Sequence, residues 1–232
     1  MGVTAVLLPG MDGSGEYFSD FAAALAPEID SIVVAYPDRE LGYGDLEVFA
    51  RKALPSRPYI LVGESFSGPI AIALAASAPA GLVGVVLVCS FARSPVLLPA
   101  FLRPMAVHFP LRQVPAWIAG KMLLGRYSTP DYRDKLSSSI ARVRAAVWRA
   151  RMRAIASVDV VPQLRRIGVP ILYLRASEDR VVPPAATDLV AHNARDLRIA
   201  DLDGPHFLLQ VRPGESAERV KAFCHGLATL RP

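Results

Sequence analysis

The chain has 232 residues, 52 % of them apolar and 20 % charged, with a formal net charge of +5. That length suits one domain with a sizeable core, while the longest apolar runs are strand-length and fall short of the ~20 residues that span a bilayer. The two cysteines and four scattered histidines lack metal-ligand spacing, and no G-x-G-x-x-G or G-x-x-x-x-G-K loop occurs, so no disulfide, metal or other cofactor is expected.

The first apolar run, residues 3–8, reads as a buried strand, with no basic leader or cleavage site before it. A soluble cytoplasmic protein is therefore expected. The strand leads into Leu8-Pro9-Gly10-Met11-Asp12-Gly13, where Asp-Gly favours a turn. A helix near 16–26, a strand over 31–36, a helix near 45–54 and a strand over 58–63 follow. Further on come a helix over 66–78, strands over 82–89, 169–175 and 196–202, and helices near 159–167, 184–192 and 214–229. Short apolar strands alternating with helical periodicity predict an α/β fold with a doubly wound, mostly parallel sheet of about six strands.

The third strand breaks into its helix at Gly63-Glu64-Ser65-Phe66-Ser67-Gly68. Glycine two places before Ser65, and very small residues two and three places after it, suit a strained strand-turn-helix corner in which bulky side chains would collide. Such a corner lifts the hydroxyl clear of the sheet and points a helix N-terminus at it, which favours an oxyanion beside the serine. The usual pattern is G-x-S-x-G; here the fifth position is Ser67 and glycine comes one place later. The plainer alternative is a serine capping a helix after a buried strand.

One segment interrupts the alternation. Between Cys89 and Val169 there is room for several extra helices, punctuated by Pro95, Pro99, Pro104, Pro110, Pro115 and Pro130. Its last helix, about 139–156, carries Ile140, Val143, Val147, Ala150 and Ala154 at helical spacing, widened by Trp148, Met152 and Ile155. Residues 92–158 read as a helical cap inserted into a core made of 1–91 and 159–232. The same stretch holds twelve Lys/Arg and two acids, a net of +10, which leaves −5 for the rest. A basic cap could steer an anionic acyl substrate, or one riding on an acidic carrier protein; a solvated arginine face is the alternative. The basic residues are not interleaved with stacking aromatics, so no nucleic-acid partner is expected.

A nucleophilic serine needs a general base and a group that orients the base. The strand over 169–175 runs into Ser177-Glu178-Asp179-Arg180-Val181-Val182-Pro183, and the next strand runs into Asp203-Gly204-Pro205-His206. Ser65, Asp179 and His206 thus each follow a strand, at the carboxyl edge where sites gather in open α/β sheets.

With these pieces the chain resembles the α/β-hydrolase superfamily over essentially its whole length. The resemblance implies that Ser65 attacks an acyl carbon, His206 relays the proton and Asp179 orients the imidazole. It also implies an oxyanion hole from the backbone N–H groups of Met11 and Phe66. Two departures stand out: Pro9-Gly10 replaces the His-Gly of many relatives in the first loop, and the two leading antiparallel strands of the fuller fold are missing.

Other assignments compete. Glu178 could serve as the acid, although the offset to Val182-Pro183 favours Asp179. Glu64 reads as structural or as a pocket wall, and Asp12 as a turn residue. His192 and His225 lie on helical patterns, and His108 in the cap. Phe18, Phe91, Trp117 and Phe207 are candidate substrate-pocket walls, with core packing as the alternative for each. The expected activity is cleavage of a small-molecule carboxylic ester or thioester through an acyl-serine. The same triad would serve an acyltransferase or a cofactor-free perhydrolase, whereas a non-catalytic binding protein on this fold would usually have lost a triad member.

Overall fold

The computed structural model of the protein describes residues 2–96 and 116–228. Six parallel strands form one sheet: β1 (Thr4–Leu8), β2 (Asp30–Val33), β3 (Tyr59–Glu64), β4 (Leu82–Val88), β5 (Ile171–Glu178) and β6 (Leu197–Pro205). Their order across the sheet is β2-β1-β3-β4-β5-β6. The progression reverses between β1 and β3, and the crevice beyond the carboxyl ends of those two strands is where open α/β sheets bind ligands. The register aligns Leu8 with Gly63 and Glu64 with Val88. The loops after β1, β3 and β4 therefore leave the sheet at nearly the same height.

Helices α1 (Ser19–Leu25), α2 (Tyr43–Arg51) and α3 (Gly68–Ala76) follow the first three strands. After β4 the chain leaves the sheet and forms α4 (Ala116–Leu123), α5 (Pro130–Arg142) and α6 (Ala145–Ser157). It returns through α7 (Val161–Leu164), and α8 (Pro184–Asn193), α9 (Leu208–Val211) and α10 (Pro213–Ala228) complete the order. One core lies between the sheet and α2, α3, α7 and α8, around Leu61, Ile70, Leu164 and Val190. The other, around Phe21, Leu25, Val220 and Phe223, lies under α1 and α10. Covered on both faces, β1 and β3 are buried at every position and, Thr4 and Glu64 at their ends aside, carry no alternating polar residues. Each buried Leu or Ile there contributes about 1.5–3 kcal/mol. Helix α3 is apolar all round because it too is packed on every side.

Every expected strand is present, with shifted ends. β5 and β6 run about three residues further than their apolar patterns, paired through Arg175–Asp201, Ala176–Leu202 and Glu178–Pro205. Helix 159–167 shortens to α7, continued by turn bonds such as Arg166 N–H to Gln163 O.

The single helix expected over 139–156 is a correction: the chain forms two, broken at Val143 and Arg144, whose backbones are extended. In an unbroken helix the Arg144 N–H would donate to the Ile140 carbonyl. Instead it turns to Asp38 Oδ1, the Arg144 side chain binds the same carboxylate at 2.8 Å, and Trp148 Nε1 takes the vacated Ile140 carbonyl. A tertiary anchor thus ends the helix, and an indole satisfies the freed acceptor.

The two ends of the excursion are joined where it leaves the sheet. Ser94 N–H donates to Val158 O, Val160 N–H to Ala92 O, and Arg93 pairs with Asp159 at 2.8 Å. Among the described residues, no helix is long and apolar enough to cross a membrane.

Candidate active site

Ser65 heads a 3₁₀ turn between β3 and α3 with φ +48°, a left-handed backbone that a non-glycine residue adopts only under constraint. The neighbouring glycines make the corner possible. A Cβ on Gly63 would lie 2.9 Å from Ala71 Cβ and from Ser67 O, and one on Gly68 would lie 1.8 Å from Ser90 Oγ. Ser90 uses that space to donate to the Ser65 carbonyl at 2.6 Å. Its own backbone is tied by Tyr173, whose hydroxyl donates to Ser90 O and accepts from Ser90 N–H. The glycine requirement therefore sits at Gly68, and Ser67 departs from glycine because its hydroxyl is used. It donates to the Pro9 carbonyl and accepts from the Tyr36 hydroxyl, with every member buried.

The Ser65 hydroxyl donates to His206 Nε2 at 2.8 Å. His206 Nδ1 lies 2.9 and 3.0 Å from the two Asp179 oxygens. The imidazole is only 4 % exposed, so the contact is sheltered from water. Asp179 Oδ1 also accepts the N–H groups of Val181 and Val182, at 2.8 and 2.9 Å. Burial works to raise the Asp179 pKa, but the bond to His206 and these two N–H groups outweigh it and hold the carboxyl below its ordinary range. Glu178 turns away and pairs with Arg126 at 3.0 Å.

The loop after β1 is a turn closed by Gly13 N–H to Gly10 O, with Met11 and Asp12 at its centre. The Met11 N–H takes no part in that closing bond. Phe66 is the second residue of the 3₁₀ turn, where helical N–H groups lack an internal acceptor. Five successive carbonyls of the loop are bonded: Pro9 by Ser67, Gly10 by Gly13, Met11 and Asp12 by Arg151 Nη1 at 2.8 Å each, and Gly13 by Tyr36 N–H. Asp12 is the expected turn residue and accepts from Ser14.

Glu64, directly before Ser65, is buried. It accepts from Gln210 Nε2 at 2.9 Å and from the Gly10 N–H, and so joins the loop after β1 to the segment after His206. Burial pushes its pKa up to about 7 against the pull of Gln210 and the nearby imidazole. Gln210 Oε1 is buried without a partner.

The remaining candidates disperse. Phe18 and Phe91 are buried in the two cores, and Trp117 is 64 % exposed on α4. Phe207 is half-buried beside His206 and packs its ring on Tyr17. His192 and His225 are exposed, and His108 lies outside the described residues. The donor atoms of Cys89, Asp179 and His206 lie within 4.8 Å of one another. Burial, with the nearby Asp179 carboxylate, raises the Cys89 pKa well above its ordinary value and keeps the thiol a poor ligand. A cavity of about 440 Å³ lies between residues 40–43 and α6, but no member of the Ser-His-Asp group lines it.

The basic charge of the inserted segment has local partners. Arg126 pairs with Glu178 and Asp203, Arg142 with Glu16, Arg144 with Asp38 and Arg153 with Glu40. Cationic helices thus face an acidic rim. Apart from the half-buried Glu178 these groups are solvent-exposed, and an exposed pair contributes about 0–1 kcal/mol. Arg151 differs in being only 2 % exposed. It follows Val147 and Ala150 on the apolar face of α6, and a charged residue at that spacing was the available signal that it points inward.

Comparison with known proteins agrees with this architecture. A bromoperoxidase from Bacillus anthracis superposes with TM-score 0.83 at 16 % identity, covering 97 % of this chain and 92 % of that one. The enol-lactonase from Burkholderia xenovorans LB400 gives 0.76 at 19 % identity, covering 97 % and 92 %. These likenesses show the fold. In sequence, the chain is 26 % identical to 3-oxoadipate enol-lactonase 2 of Acinetobacter baylyi over 102 residues, which is 44 % of this chain and only 36 % of that lactonase. The model of the alpha/beta hydrolase family matches residues 5–219, and by that match over nearly its whole length the chain belongs to this family.

Proposed function

We propose that the protein is a serine hydrolase that cleaves a carboxylic ester or thioester through an acyl-serine intermediate. The observation that carries this reading is the continuous line from Ser65 Oγ to His206 Nε2, at 2.8 Å, and from His206 Nδ1 to Asp179, at 2.9 Å. In this mechanism His206 takes the Ser65 proton as Oγ attacks the acyl carbon. The Met11 and Phe66 N–H groups hold the resulting oxyanion. His206 then protonates the leaving group and activates a water that releases the acid. Asp179, held ionised by its own bonds, keeps the imidazole in the tautomer that accepts from serine. Residues 92–158 act as a cap over this edge, and Phe207, beside the base, serves as a wall of the acyl site. Cyclic esters fall within the proposed substrate class, since relatives in both comparisons are described as enol-lactonases.

The test is labelling with a fluorophosphonate, together with hydrolysis of short p-nitrophenyl esters, thioesters and lactones, by wild type and Ser65→Ala. Wild type should label and turn over, and the variant should lose both, with turnover falling about 10⁴–10⁶-fold. Equal labelling in the two proteins refutes the assignment. Adding alcohol or peroxide as a competing acceptor separates hydrolysis from acyl transfer and perhydrolysis.

A further inference from the structure

Arg151 is delivered to the loop after β1 from α6, 140 positions along the chain. Its Nη1 donates to the Met11 and Asp12 carbonyls at 2.8 Å each. Among the described residues no other arginine is buried. Gly13, with φ +74°, lies flat against the guanidinium: a Cβ there would stand 2.6 Å from Nη2, 2.8 Å from Nη1 and 2.9 Å from Cζ. Gly13 is thus required twice, once by its backbone and once by the cation beside it.

The consequence concerns the direction of one N–H. In a trans peptide the C=O and N–H point opposite ways: the Asp12 carbonyl that Arg151 holds is backed by the Gly13 N–H, which donates to the Gly10 carbonyl, and that carbonyl is backed by the Met11 N–H. The peptide between Met11 and Asp12 is the central unit of the turn, the one whose rotation interconverts the two common turn types. Neither Met11 nor Asp12 has a positive φ, as a type I turn requires, and Gly13 is the last of the four residues, where that turn favours glycine. Arg151 holds that central carbonyl and the next one, while Ser67 holds the Pro9 carbonyl.

We infer that Arg151 is a positioning residue for the oxyanion hole: through two carbonyls it locks the turn that aims the Met11 N–H, so the inserted helix α6 completes the hole rather than merely covering it. This rests on the serine-hydrolase reading above. The rim arginines of the same segment only dock it, because their partners are Glu16, Asp38, Glu40, Glu178 and Asp203 and not the carbonyls of this loop.

The test compares Arg151→Met, which keeps the stem and removes the donors, with Arg151→Lys and with Arg144→Ala, which removes a rim ion pair. Arg151→Met should lower kcat by about 10–100-fold, the scale on which a misplaced catalytic group acts, with KM within twofold and an unchanged pH profile. Fluorophosphonate labelling should slow in parallel. Lysine should restore part of kcat, and Arg144→Ala should stay within twofold of wild type. If Arg151→Met fails to fold, Gly13→Ala replaces it, because its methyl group displaces the guanidinium while retaining it; the same kcat-selective loss is expected. A folded Arg151→Met or Gly13→Ala with wild-type kcat overturns the inference, as does a loss confined to KM or matched by Arg144→Ala. If wild type and Ser65→Ala label equally, the hydrolase reading falls first and takes this inference with it.

Discussion

Glu64 should make the protein less stable as pH rises through neutrality. Its carboxyl titrates at about 7 in the folded protein against about 4.5 ordinarily. Between those values the native state therefore binds more protons than the unfolded chain, and stability falls as pH increases. At ~1.36 kcal/mol per pH unit, the penalty grows from nothing below pH 4.5 to about 3 kcal/mol above pH 7. The cause is burial of a charge whose neighbours are His206, Asp12, Gln210 and the Gly10 N–H. A proton on Glu64 would also offer a donor to Gln210 Oε1, which lacks a partner. Glu64→Gln removes the titration but weakens the contact with the Gly10 N–H, a cost of about 1 kcal/mol that does not vary with pH. Urea unfolding of both proteins at pH 4.5, 6, 7 and 8 separates the two effects. The stability difference should move by about 3 kcal/mol in favour of the glutamine variant from the lowest pH to the highest, whatever its offset. Asp179, held below its ordinary range, contributes its stabilisation above about pH 4 in both proteins and cancels. A difference that stays flat within about 0.5 kcal/mol refutes the reasoning.

Two further substitutions examine the elbow. Ser67→Ala strands the buried Tyr36 hydroxyl and frees the Pro9 carbonyl, which should cost about 1–3 kcal/mol; adding Tyr36→Phe should cost less than the sum of the single changes, as read from a double-mutant cycle of urea midpoints. Gly68→Ala would place Cβ 1.8 Å from Ser90 Oγ, and the overpacking should cost about 3 kcal/mol or more. Removing the obstruction in Gly68→Ala/Ser90→Gly should recover much of the soluble yield and midpoint, and no recovery would place the strain elsewhere.

Much of the fold was legible because its determinants are local. Continuous apolar strands of five to eight residues announce a sheet covered on both faces, and Gly63, Ser65 and Gly68 mark a corner whose constraint is the backbone's own. Asp179 and His206 were legible for a related reason, since each follows a strand and the carboxyl edge of a parallel sheet gathers what its loops carry. The twelve basic residues of 92–158 suggested an anionic visitor, yet the described rim arginines face Glu16, Asp38, Glu40 and Asp203 of the same chain. Periodicity proposed one helix over 139–156, which Asp38 divides in two. The hydroxyl of Ser67 looked like a mere departure from glycine until Pro9 and Tyr36 came beside it.

Sequence by itself determined the strands, the corner and the placing of Ser65, Asp179 and His206 each after a strand, because backbone sterics and hydrophobic periodicity act over a few residues. Only the tertiary structure decided where long polar side chains end. Arg151 reaches Met11 across 140 positions and Gln210 reaches Glu64 across 146. Such partnerships depend on which surfaces the packed helices bring together, and no spacing along the chain encodes them.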